Sequence, residues 1–362
     1  MTVFKNIRAY PVLRRKFCDY LEGVRVLPDG WTKRRLFWDY LEVRRNHPGR
    51  RVSISEYFIF AFYDLSREQQ GEYLTDVEAT LCMRPLNEEA RPYLWDKACF
   101  LRAFSEFVSR RWMFVPDSTE EQFVLFASQM DCLALKPFSS SWGIGFERLC
   151  CDEVDDWHRL YERLRDGGYV AEEFLTSASE LARFHPESLN TIRVITFYNG
   201  DRFRVFGAGL RVGNNGRHVD NAHGGGIFCE IDPETGVIIT DGLDEFGNCH
   251  KAHPITGVPF RGEAIPRWDE IVALCRRACG ALPALRVVGW DVAVLSDGRL
   301  ELIEGNHNPG MNIVQAAGKH GVREKFVKML REFFSDVEPE IRDASAAFGG
   351  SGHVPDCLKE KL

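Results

Sequence analysis

The sequence predicts an α+β protein with a helical N-terminal region, and three observations predict it. Apolar residues recur at helical spacing across residues 31–43 and again across 54–63. Short apolar strands at 123–127, 133–137 and 169–174 surround a helical stretch at 154–165. Near the C-terminus, two apolar runs at 289–294 and 302–306 flank Ser296-Asp297-Gly298, a strong hairpin turn signal. With 362 residues, the chain is long enough to bury a large core and to divide into two or three subdomains.

Composition narrows the function classes. Hydrophobic content of 44% and charged content of 27% are those of an ordinary soluble globular protein. A net charge of −7 gives no global electrostatic case for nucleic acid. No apolar run is long enough for a membrane span, and residues 1–16 lack the apolar core of a signal peptide. The 11 cysteines form no Cys-x-x-Cys pair. Only the adjacent Cys150-Cys151 and the helically spaced Cys275 and Cys279 stand out. They read as free thiols acting as small hydrophobes in a reducing cytosol, so the expected location is cytoplasmic.

The elements follow in order. Residues 1–91 form the helical region, dense in arginine and lysine in its first half (Arg14, Arg15, Lys16, Arg34, Arg35, Arg44 and Arg45 among them). This is either a patch for an anionic partner or a solvated face balanced by Asp19, Glu22, Asp39 and Glu42, and the latter is preferred. Asp96-Lys97 opens a helix to Phe107, and a lysine there gains nothing from the helix dipole, which suits one kept for a ligand. Residues 92–175 form a small α+β subdomain and 176–343 a larger one. In the larger, strand 194–198 pairs with 203–208, and helix 267–279 ends at Gly280 as its cap. A last helix covers 323–334, and the tail 344–362 has no apolar periodicity and is expected to be disordered.

Two clusters carry chemistry. Asp291 lies on the first strand of the C-terminal hairpin, and Glu304 and Asn306, one residue apart, share a face of the second. If the strands pair, three oxygen-bearing side chains converge, the set that Mg²⁺ takes together with substrate phosphates. Upstream, the strand ending in Lys136 runs into Phe138-Ser139-Ser140-Ser141-Trp142-Gly143-Ile144-Gly145, a loop whose glycines let backbone N–H groups approach phosphates.

With these motifs the chain resembles the ATP-grasp enzymes, and most closely their sugar-transfer-associated branch, of alpha-L-glutamate ligase-like type. The resemblance runs from about Trp95 to about Gln315. It is carried by Trp95-Asp96-Lys97, the Lys136 strand with its loop, Tyr169-Val170-Ala171-Glu172-Glu173-Phe174-Leu175, His185-Pro186-Glu187 through Arg193, Val219-Asp220 through Gly226, His253-Pro254-Ile255-Thr256-Gly257 and the terminal hairpin. It implies an ATP-grasp fold, two α+β subdomains gripping ATP. It also implies that Lys97, Lys136, Ser139, Ser140, Gly143 and Gly145 hold the phosphates. Glu172, Glu173 and Leu175 would meet adenine, and Glu180 the ribose. Arg193 would face the transferred phosphoryl group, with Arg211 as a second candidate. A buried guanidinium cannot shed its charge and needs an anion, so both could instead pair with structural carboxylates. The glycine-rich loop with Asp220, Asn221, His223 and Gly225 would touch the acceptor or the phosphates, and His253 would handle substrate.

The activity the resemblance implies uses ATP and Mg²⁺. A carboxylate attacks the γ-phosphate to form an acyl phosphate, which an amine or similar nucleophile captures, in glycan or secondary-metabolite biosynthesis. Lys136, Arg193 and Arg211 would serve catalysis, and Asp291, Glu304 and Asn306 the metal. A kinase acting on a sugar or cyclitol hydroxyl is the alternative, with Asp220 or His223 as its base. The expected partners are small molecules, and the oligomeric state is open, with a homodimer as one option.

Overall fold

The computed structural model describes residues 10–47, 51–138, 145–214, 225–282 and 284–334. The N-terminal helices are α1 (Tyr10–Tyr20), α2 (Lys33–Asn46), α3 (Ile54–Ile59), α4 (Arg67–Gly71) and α5 (Asp76–Met83). Thr32 caps α2, its side chain accepting from the Arg35 N–H, so the predicted helix starts later and runs further than 31–43. The run at 54–63 is broken. A Ser53/Glu56 capping box starts α3, and Ala61 at φ 52° separates α3 from a 3₁₀ turn at Phe62–Asp64. Helices α6 (Arg91–Trp95) and α7 (Lys97–Ala103) follow, α7 capped by Asp96.

The first sheet has four antiparallel strands, β1 (Trp112–Phe114), β2 (Cys132–Pro137), β3 (Glu147–Cys150) and β4 (Tyr169–Glu173), in the order β1-β4-β2-β3. Helices α8 (Glu120–Ala127) and α9 (Trp157–Asp166) pack on it around Phe123, Leu133, Leu135, Leu164 and Ala171. The predicted strand at 123–127 is therefore a helix. Thr119 and Gln122 form a reciprocal capping box, and Phe123 and Ala127, four apart, share its buried face. Helix α9 starts at Trp157 rather than 154, because Asp156 caps it through the Arg159 N–H. The described cysteines are free thiols. Cys132 and Cys150 face each other across β2 and β3 with sulfurs 3.3 Å apart, a pairing that spacing in sequence did not reveal.

After the short α10 (Ser179–Ala182) come β5 (Thr191–Tyr198), β6 (Phe203–Val212), β7 (Ile227–Ile231), β8 (Gly242–Asp244), β9 (Cys249–His250), α11 (Trp268–Ala281), β10 (Val287–Val294), β11 (Leu300–Asn306) and α12 (Arg323–Phe333). These strands form a seven-stranded sheet in the order β11-β10-β5-β6-β7-β8-β9. Gly280 lies inside α11 and does not cap it. The helix runs to Ala281 and stops because Leu282, next to Pro283, is extended at φ −129°.

Two hydrophobic layers cover the large sheet. One face packs Val194, Leu210, Trp290 and Val292 against α7 and α11. The other packs Ile195, Phe197, Phe206 and Val287 against the N-terminal helices and α12, in one continuous core. Each such fully buried large side chain contributes roughly 2–3 kcal/mol. On that second face, the row from Thr191 to Asp291 is polar.

Candidate active site

The site is built on the β10–β11 hairpin. Asp291 pairs with Glu304 and Gly289 with Asn306, but Val292 pairs with Leu302, so Ile303 is an extra residue on β11. This bulge matters for the chemistry. Leu302 belongs to the apolar face with Val292, and without the extra residue Glu304, two positions on, would follow it there. The bulge turns Glu304 and Asn306 to the side of Asp291. On the other edge of β10, Asp291 pairs with Arg193 of β5, and Arg193 pairs with Gly209 of β6. Gly289 leaves room there, since a Cβ would come within 2.6 Å of Pro309 and 3.0 Å of the Arg193 Cδ.

Asp291 is fully buried and held by two arginines. Arg193 grips both its oxygens, through Nε and through Nη2 at 2.9 Å. Arg211 Nη2 donates to Oδ2 at 2.8 Å and also to the Thr191 hydroxyl at 2.9 Å. Burial opposes ionisation of Asp291, but Arg193 and then Arg211 outweigh it and hold its pKa well below the usual carboxylate range. Both arginines thus pair with a carboxylate, the structural option that the sequence left open.

Glu304 behaves oppositely. Its side chain is exposed at the end of β11, yet neighbouring protein partly desolvates it. Crowding first, and the adjacent Asp291 second, raise its pKa. Asn306 Nδ2 donates to Glu304 Oε1 at 3.2 Å. Among the described residues no three His, Cys, Asp or Glu side chains converge as a metal-binding group. The set here is two carboxylates and one amide oxygen, all hard donors, with the Asp291 charge balanced in this structure by Arg193 and Arg211. That set fits Mg²⁺, which takes few protein oxygens and completes its shell with water and phosphate.

The small sheet faces this cluster with cations. Lys136, near the end of β2, donates from Nζ to Glu172 Oε2 of β4 at 2.6 Å. Lys97, at the start of α7, donates to the Pro137 carbonyl at 3.1 Å. Burial lowers the Lys97 pKa, while Glu304 raises it and Lys136 lowers it, so this lysine lies within electrostatic reach of both halves of the site. Burial also opposes ionisation of Glu172, but Arg110 and then Lys136 hold its pKa at about 2. Sequence reading missed Arg110, which bonds Glu172 at 2.9 Å and Glu301 at 2.7 Å. Only its place before a strand distinguished it from other arginines.

The remaining expected residues divide. Glu173 accepts from the Arg111 N–H at 3.2 Å and from Arg299 at 3.3 Å. Leu175 is half-buried just beyond β4, and the next residues, Thr176 and Ala178, bond the turn and end of β10 through backbone groups. Glu180 is exposed on α10 and accepts from the Ser179 hydroxyl. Ser139, Ser140 and Gly143, and also Asp220, Asn221 and His223, lie outside the described residues. Gly145 (φ 75°) and Gly225 (φ 87°) stand where those two loops return, in the left-handed region that favours glycine. His253 is a correction. It is 1% exposed, its Nε2 donates to the Gly213 carbonyl at 2.9 Å, and its Nδ1 accepts from the Ile255 N–H. Both nitrogens serve the backbone, so the ring braces the end of β6 and has no atom to offer a substrate.

Residues 162–331 match the family described as sugar-transfer associated ATP-grasp. No curated protein matches the chain in sequence. Among solved structures, D-alanyl-alanine synthetase A from Vibrio cholerae is 10% identical, with a TM-score of 0.43 over 68% of this chain and 67% of that one. The ATP-grasp ligase PsnB, solved with minimal precursor, Mg and ADP, is 16% identical, with a TM-score of 0.40 over 63% of this chain and 55% of that one. The ADP complex of N5-carboxyaminoimidazole ribonucleotide synthetase is 11% identical, with a TM-score of 0.41 over 63% and 48%. The chain spans little more than half the length of PsnB. The sequence match spans residues 162–331, a little under half of the chain, and makes that segment similar to the sugar-transfer associated ATP-grasp family.

Proposed function

We propose that the chain is an ATP- and Mg²⁺-dependent ligase that activates a carboxylate as an acyl phosphate for capture by an amine or similar nucleophile. One observation carries this reading. An acidic set (Asp291, Glu304, Asn306) and a basic set (Lys97, Lys136, Arg193, Arg211) converge where the two sheets meet, which suits a triphosphate and its metal.

In this reading ATP lies between the sheets, with its phosphates toward Asp291 and its base toward the segment after β4. Asp291, Glu304 and Asn306 hold Mg²⁺, which when bound neutralises phosphate charge. Lys97 and Lys136 bring their ammonium groups to the β- and γ-phosphates. Arg193, gripped in the free protein by Asp291, turns part of its fork to the transferred phosphoryl group, and Arg211 supports it. An acceptor carboxylate oxygen bonds to the γ-phosphorus, the bond to the β–γ bridging oxygen breaks, and ADP leaves. The nucleophile then adds at the acyl carbon, loses its proton to solvent or a base, and expels inorganic phosphate. No protein nucleophile is needed, since positioning and charge neutralisation carry this chemistry. Ser139, Ser140, Gly143 and Gly145 are assigned to the phosphates, which glycine lets backbone N–H groups approach closely. Glu172, Glu173, Leu175 and Glu180 are assigned to the nucleoside, and Asp220, Asn221, His223 and Gly225 to the acceptor.

The test is ADP and phosphate release from Mg²⁺ and ATP with panels of carboxylates and amines. Free phosphate formed only when both co-substrates are present supports the ligase. Phosphate retained in a product from one hydroxyl acceptor replaces it with a kinase. No nucleotide turnover with any panel contradicts both.

A further inference from the structure

Arg110 belongs to neither sheet, yet it touches both. It stands just before β1, with a side chain 2% exposed. Its Nε donates to Glu172 Oε2 on β4 at 2.9 Å, and its Nη1 to Glu301 Oε1 on β11 at 2.7 Å. The same Nη1 donates to the Leu302 carbonyl at 2.9 Å, and Nη2 to the Ile303 carbonyl at 3.0 Å. Ile303 is the extra residue of the bulge that aims Glu304, and a bulge leaves ladder groups without strand partners.

We infer that Arg110 is the positioning residue of this site: it pins the bulge that carries Glu304 and, through Glu172, sets the resting place of Lys136. The inference rests on the Mg²⁺ and ATP reading above. Two physical arguments carry it. The first is geometric. Only a planar guanidinium has donors in a fixed fork that can reach two successive carbonyls and two carboxylates at once, whereas an ammonium is a point charge with three donors. The second is electrostatic. Glu172 is 3% exposed and accepts from both Arg110 and Lys136 on one oxygen. When Lys136 moves to a phosphate, Glu172 keeps Arg110 and is not left as an unpaired buried charge. Glu301 in turn keeps the Ser109 N–H at 2.9 Å, so Arg110 is not its sole partner. Arg110 therefore makes Lys136 releasable while it fixes the carboxylate that would meet the metal.

The test uses the full chain with Arg110→Lys, and Leu164→Ala, a truncation of the core between α9 and the small sheet, as a destabilised control. The readouts are the Mg²⁺ concentration giving half of the ATP-dependent thermal stabilisation and the hydrogen exchange of amides 303–305. Residues that orient metal ligands typically change metal affinity by about 10–100-fold, so Arg110→Lys should raise the Mg²⁺ midpoint at least ~10-fold and speed exchange at the bulge. Leu164→Ala should do neither. A wild-type midpoint in Arg110→Lys, or equal shifts in both variants, overturns the inference. Should Arg110→Lys fail to fold, Glu301→Gln removes one anchor charge and should raise the midpoint about threefold, a fraction of the same effect. An unchanged midpoint there overturns it as well. If the wild type shows no response to Mg²⁺ and ATP, the nucleotide reading fails by itself. Bulge exchange, which needs no ligand, still decides the role of Arg110: faster exchange in Arg110→Lys supports it, and unchanged exchange overturns it.

Discussion

Replacing Asp291 by asparagine removes one negative charge from a fully buried position and leaves two guanidiniums, Arg193 and Arg211, beside a neutral amide. Breaking a buried ion pair by deleting one partner costs about 3–5 kcal/mol. Two features reduce that here. The arginine side chains keep 10% and 14% of their surface, and Glu304, whose ionisation Asp291 suppresses, can ionise more readily once Asp291 is neutral. A loss of about 2–4 kcal/mol is expected, and at about 2 °C per kcal/mol for a chain of this size the melting temperature falls by about 4–8 °C at pH 7. The pH dependence identifies the cause. Asp291 has a depressed pKa in the fold, so its stabilisation is complete above the unfolded carboxylate value of about 4 and is lost as pH falls toward the folded value. The gap between wild type and Asp291→Asn should be constant from about pH 5 to 8 and narrow between about pH 4.5 and 3. Calorimetry across that range measures it. Equal melting temperatures at pH 7, or a gap that does not narrow in acid, refutes the buried pair.

Other outcomes follow from the same geometry. Glu304→Gln relieves repulsion with Asp291, so the fold should keep its melting temperature within about 2 °C while ATP turnover drops at least ~100-fold, as for loss of a group that stabilises transition-state charge. Unchanged turnover would remove Glu304 from the metal set. Lys136→Ala should weaken ATP binding at least ~10-fold in calorimetric titration, since a charge-assisted hydrogen bond to phosphate contributes about 1.5–3 kcal/mol, and an unchanged affinity contradicts that contact. His47 is buried and donates to the Gln70 carbonyl, and burial lowers its pKa to about 4. The unfolded state then takes up a proton first, so stability falls as pH drops from about 6.5 toward 4, by up to about 3 kcal/mol. His47→Gln should flatten that slope in urea titrations, and a slope identical to wild type argues against it.

Much of the hairpin was legible because its signals are local. Ser296-Asp297-Gly298 announces a turn, and a one-residue gap between Glu304 and Asn306 announces a shared face. The bulge at Ile303 was not legible, because one break in the alternation of so short a strand reads the same as the strand's polar end. The pairing of Arg193 and Arg211 with Asp291 depends on β10 lying beside β5, strands almost a hundred residues apart in sequence whose adjacency no local pattern encodes. Residues 123–127 were misread because a five-residue apolar run fits strand or helix alike. Thr119 and Gln122, at capping-box spacing, held the answer. Arg110 looked like any other arginine, since its partners come from β4 and β11. His253 looked like a polar loop residue because burial by Phe260 and His185 is a tertiary event.

The measurement that tests the central claim most directly is thermal unfolding of the purified chain titrated with ATP, with and without Mg²⁺. A ligand at about 100 times its dissociation constant stabilises the folded state by about 2.7 kcal/mol. The account predicts a rise in melting temperature of about 5 °C that requires Mg²⁺, disappears in Glu304→Gln and shrinks in Lys136→Ala. No rise with any nucleotide, or one indifferent to Mg²⁺ and to both substitutions, would contradict it.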